Sequence, residues 1–116
     1  MTRYVFLASI VSLLSPGVLH AAEFPASVAK FLQTHCHECH SGESKSGGLD
    51  LTALGTDLSD SATFDRWGRV HDRVRDSEMP PPETPAPSDA DRTTLTRSIS
   101  GVLVGFESAR QRSQGR

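Results

Sequence analysis

The chain has 116 residues, a formal net charge of −2 at pH 7, and hydrophobic side chains at only 36% of positions. That length admits one small domain, and an apolar share below the roughly 45–50% usual for globular chains gives a thin core of the kind that often recruits a metal, a disulfide or a cofactor. The slightly acidic balance gives no electrostatic footprint for nucleic acid, which normally needs a clustered basic surface.

Arg3 precedes an apolar run, Tyr4 to Leu14, which ends at Ser15-Pro16-Gly17 and exits through Ala21-Ala22. A basic start, a short apolar stretch and small residues at the exit are the layout of a secretory signal peptide, here residues 1–22. The run is shorter than the roughly 20 residues a membrane helix needs, so no membrane span is expected after removal of the signal. Leu19 or His20 fits poorly three positions before the cut, so an uncleaved N-terminal anchor is the alternative. No cysteine stands near Ala21, which argues against a lipoprotein. The expected destination is the periplasm or another exported compartment.

Residues 23–106 form the expected domain. Residues 24–35 read as a short helix, with Pro25 in its first turn and Val28, Phe31 and Leu32 at helical spacing. Ser41 to Gly48 is a Gly/Ser loop without an apolar residue. Leu49, Leu51, Leu54 and Leu58 make an irregular apolar segment broken by Gly55. A second helix is predicted from about Ala62 to Asp76, capped by Ser59, Asp60 or Ser61. Phe64, Trp67, Val70 and Val74 lie on one stripe of it, and Arg66, Arg69 and Arg73 on a second, read chiefly as a solvated face, with contact to a cofactor's propionates or docking of a partner as the alternatives. Prolines from Pro80 to Pro87 make a stiff extended segment. Ser88 with Asp91 then opens a third helix, with Leu95, Ile99, Val102, Leu103 and Phe106 as its apolar face. From Glu107 to Arg116 the chain is polar and arginine-rich without an apolar anchor, and reads as a disordered tail or linker.

The chemistry concentrates in Cys36-His37-Glu38-Cys39-His40. Two thiols three positions apart match the two vinyl groups of one haem, and the adjoining imidazole reaches the iron, so the spacing is a signature of c-type haem attachment. Both cysteines of the chain fall inside this motif, and a helix leads straight into it. A thioredoxin-like pair needs a βαβ context that the pattern lacks. A structural zinc site needs a second ligand pair further along the chain, and none is present. A plain disulfide is the remaining alternative. For the sixth iron ligand Met79 is favoured, since it follows a helix and precedes prolines that fix its backbone, an odd place for a core methionine. His71 is the rival, and would give a bis-histidine iron of lower potential. Leu49, Leu51, Phe64, Trp67 and Val70 are the expected apolar pocket. The Trp67 indole is either an ordinary core group or a donor to a haem propionate.

Phe31 to Gly42, which spans the cysteine motif, then Gly47-Gly48-Leu49-Asp50-Leu51, then Trp67 to Val74 with Glu78-Met79-Pro80-Pro81, resembles the planctomycete-type cytochrome c family over about residues 28–104. The resemblance implies a class I cytochrome c-like fold, with Cys36 and Cys39 as thioether anchors, His40 as proximal and Met79 as distal ligand. Members of that family often form N-terminal modules of larger exported proteins, so this chain is either a free-standing carrier or the first piece of a longer one. The combined expectation is a small all-α protein of three main helices around one covalent haem c with its iron. It passes single electrons between exported redox partners and transforms no substrate itself. A haem-based ligand sensor and a haem accessory domain of a larger protein are the alternatives.

Overall fold

The computed structural model describes residues 21–115. The expected signal peptide lies outside the described residues except for Ala21 and Ala22. Three helices carry the fold, α1 (Ala26–His35), α2 (Ser61–Arg75) and α3 (Asp89–Gln114), in line with the all-α expectation. Among the described residues no helix is long and apolar enough to cross a membrane.

Each helix starts where its residues demand. Pro25 is the N-cap of α1, so the ring supplies an extended backbone and the helix begins one residue later. Asp60 caps α2 by accepting from the Thr63 amide at 3.0 Å and from its hydroxyl at 2.7 Å. Ser88 Oγ accepts from the Asp91 amide at 3.0 Å, and Asp89 and Asp91 complement the helix dipole in the first turn of α3.

Two features depart from expectation. The Gly/Ser loop contains a minimal antiparallel hairpin, β1 (His40–Ser41) with β2 (Ser44–Lys45), paired His40 to Lys45 and Ser41 to Ser44, and a 3-10 turn at Ser46–Gly48. The residues after Phe106 also carry helix, because α3 continues to Gln114. Once buried side chains have nucleated a helix, each added turn is inexpensive, and Glu, Ala, Arg and Gln are good helix formers. The Arg110 guanidinium donates to both Glu107 carboxylate oxygens at 2.6 and 3.1 Å, and Gln111 donates to one of them at 3.3 Å.

The core lies where α1 and α2 meet α3. Val28, Phe31 and Leu32 enter it from α1, Trp67, Val70 and Val74 from α2, and Leu95 and Ile99 from α3, with Leu51 and Leu58 from the connecting segment. Val102, Leu103 and Phe106 pack against this cluster half-buried, and Phe106 meets Phe64 with ring centroids 5.9 Å apart. Trp67 stacks on Phe24 at 4.2 Å and donates its indole N–H to the Gly55 carbonyl at 2.9 Å. That bond makes Trp67 a core group that ties down the irregular segment, and its donor is already used.

Replacing Ser88 with Ala removes a single cap without touching the core. It is expected to lower unfolding free energy by about 1 kcal/mol, read as a reduced urea midpoint at unchanged slope.

Candidate functional site

The cysteine motif is a turn grown from the end of α1. The Leu32 carbonyl accepts from the amides of both Cys36 and His37 at 2.9 Å, and the Cys36 carbonyl accepts from Cys39 at 3.3 Å and His40 at 3.0 Å. The hairpin region adds two further ties: the Cys39 carbonyl accepts from the Ser46 amide at 2.9 Å, and the His40 carbonyl from the Leu51 amide at 2.7 Å. Because Val28, Phe31 and Leu32 are buried, the core holds α1 and hence the position of the motif.

Cys36, His40 and Met79 line one cavity of about 550 Å³, with Leu49, Leu51, Val70 and Val74 supplying apolar wall. This lies within the usual size of small-molecule and cofactor sites. Cys39 is exposed beside the cavity and does not line it. Ser46, Gly47 and Gly48 complete one side. Gly47 and Gly48 have φ of 65° and 74°, which a side chain rarely adopts, and this gives the Gly-Gly pair its physical reason. Asp50 Oδ1 secures the next turn by accepting from the amides of Thr52 at 3.0 Å and Ala53 at 3.3 Å.

Of the expected pocket residues, Leu49, Leu51 and Val70 lie on the cavity, whereas Trp67 sits in the core and Phe64 faces another groove. Val74 is a wall residue that the sequence pattern assigns only to the helix stripe. Arg66, Arg69 and Arg73 stand on the cavity wall as well as on the polar side of α2. Their spacing of three and four residues down α2 is visible in the sequence, but the cavity beside them is not. His71 lies elsewhere: it lines a shallow surface depression with Arg75, Arg97 and Val104, and its Nδ1 is 2.9 Å from the Asp72 carboxylate. Met79 and His71 are therefore on different surfaces of α2 and its C-terminal turn. A larger open groove of about 600 Å³ lies between the start of α2 and the end of α3, but it holds no thiol, imidazole or thioether.

Two observations bear on the group these residues suit. His40 Nδ1 is buried without a hydrogen-bond partner, a costly state for a polar atom. The cavity also gathers a soft thioether, an imidazole and a thiol on otherwise apolar walls. This donor set fits an iron porphyrin. Among the described residues no three His, Cys, Asp or Glu side chains converge as a metal site.

Residues 36–83 match the sequence model of the family described as Planctomycete cytochrome C, the family that the motifs resemble. No curated protein and no solved structure gives a significant match to the chain. Over those residues the chain is similar to cytochrome c domains, which together with its helical fold supports a haem-binding, cytochrome-like protein.

Burial pushes the Cys36 thiol up to about 11, so it stays protonated at neutral pH, while Cys39 is exposed. In the haem-free chain, iodoacetamide is expected to alkylate Cys39 well before Cys36, by at least about tenfold in rate, with peptide mass analysis as the readout. A second expectation concerns Asp50. The Thr52 hydroxyl, together with nearby amides, holds its carboxyl below the usual carboxylate range. Its stabilising effect is complete above about pH 4, the unfolded value, and is lost as pH falls through the lower folded value. Asp50→Asn should therefore reduce the denaturation midpoint at neutral pH, and the gap to wild type should close in acid.

Proposed function

We propose that the chain is an exported monohaem c-type cytochrome that carries single electrons between exported redox partners. Cys36 and Cys39 are its thioether anchors, His40 its proximal ligand and Met79 its distal ligand. The observation that carries this reading is the meeting of Cys36, His40 and Met79 on one apolar-walled cavity. The family is typically exported, which agrees with the secretory layout of residues 1–22.

A bound haem supplies a one-electron iron couple. The remaining work falls to this chain's own side chains. Leu49, Leu51, Val70 and Val74 keep water from the ring, which favours the less charged state of the site and slows side reactions. The Met79 thioether favours ferrous iron and so raises the potential over a two-histidine arrangement. Arg66, Arg69 and Arg73 provide positive charge on the cavity wall, suited to the propionate carboxylates, and Arg73 is also paired with Glu78.

The test is to mature the chain with a haem-attachment system and record spectra before and after reduction. Wild type should give a covalent c-type spectrum whose pigment stays with the protein in acid acetone. Met79→Ala should lose the low-spin distal signature and bind carbon monoxide readily when reduced. His71→Ala should leave both unchanged. Ready carbon monoxide binding by the wild type would instead favour a ligand sensor, and a colourless mature protein would end the haem reading.

A further inference from the structure

The turn that carries Met79 is fastened from a distant part of the chain. At the end of α2 the carbonyl of Arg73 accepts from the amides of Glu78 at 2.9 Å and Met79 at 3.0 Å, and Ser77 takes a positive φ of 60° to make the reversal. These bonds hold the amide side of Met79. Its carbonyl is held by Arg92, in the first turn of α3, whose guanidinium donates to Met79 O at 3.1 Å. The same terminal nitrogen donates at 2.6 Å to the Val74 carbonyl, in the last turn of α2, which also accepts from the Ser77 amide at 3.2 Å. Among the described residues Arg92 forms no salt bridge, so its guanidinium is committed to main-chain carbonyls. A half-buried arginine committed in this way joins α3, the end of α2 and the Met79 peptide into one rigid unit.

We propose that Arg92 is the positioning residue for the distal thioether: it fixes the backbone at Met79 so that the side chain is held at the cavity rather than released to solvent. The proposal rests on the reading of Met79 as distal ligand. Met79 is 37% exposed, the highest value but one among the large hydrophobic side chains of the described residues. Protein side chains alone therefore hold it weakly, and a backbone tether has a clear use. Lysine cannot replace the guanidinium fully, because its ammonium lacks the planar fork and is more strongly hydrated.

The experiment uses the haem-loaded protein in four forms: Arg92→Gln, Arg92→Lys, Met79→Ala and Ser88→Ala. Ser88→Ala weakens the start of the same helix without touching the Met79 carbonyl. Imidazole is titrated as a competing ligand under native conditions, and loss of the thioether-to-iron charge-transfer band is followed. Arg92→Gln is expected to bind imidazole about tenfold more tightly than wild type, from the loss of a charged hydrogen bond. Arg92→Lys should fall between the two, and Ser88→Ala should match wild type. If Arg92→Gln matches Ser88→Ala in imidazole affinity while only its unfolding midpoint drops, Arg92 is merely a tie between helices and the proposal fails. If Arg92→Gln does not fold, Arg92→Lys decides on the same readout: wild-type affinity overturns the proposal. If Met79→Ala keeps the band, the distal-ligand reading falls and takes the tether with it. If Met79→Ala loses it and Arg92→Gln changes nothing, the tether alone is wrong.

Discussion

Leu95 and Ile99, one turn apart on α3, are the two least exposed core side chains, at 1% and 0%, and both α1 and α2 pack against this helix. That junction sets the positions of the chemical groups. Packing of α1 there sets where its last turn ends, and hence where Cys36 and His40 emerge. Packing of α2 sets where its C-terminal reversal begins, and hence where Met79 emerges. Cavity-forming substitutions at such sites typically cost several kcal/mol in small domains, so the site is only as well defined as this junction.

Core and cavity share a border. Leu51, Val70 and Val74 belong to the buried cluster and also line the cavity, so one set of side chains stabilises the domain and shapes the pocket. That sharing explains how a chain with so few apolar residues manages both tasks. It also explains why the indole of Trp67 faces away: with its N–H on the Gly55 carbonyl, it braces the segment that carries Leu51 and Leu58 and leaves the cavity wall to smaller aliphatic groups.

Charge is distributed unevenly around the cavity. The chain as a whole is slightly acidic, yet the charged side chains on the cavity wall are three arginines of α2. An apolar hollow with a cationic edge suits a flat apolar ring bearing carboxylates at its margin. The Cys36 thiol lies within the apolar part, where desolvation disfavours a thiolate, and Cys39 lies outside it. The two cysteines of one short motif therefore occupy different environments, and sequence spacing alone gives no sign of this.

Local chemistry makes much of the protein readable from its sequence. Caps at Asp60 and Ser88, the apolar spacing of three helices and the Cys-x-x-Cys-His motif all act over a few residues, so their meaning survives without knowledge of the fold. The helical continuation past Phe106 escapes such a reading, because a polar stretch has no apolar period to announce it, while helix propagation from a packed start needs none. Only the tertiary structure decided the relations across long sequence gaps: that His71 and Met79 lie on different surfaces, that Phe64 and Trp67 leave the cavity to Val74, and that Arg92 reaches back to Val74 and Met79. Each depends on how α2 is rotated against α3, a quantity set by the mutual fit of buried side chains rather than by any single segment.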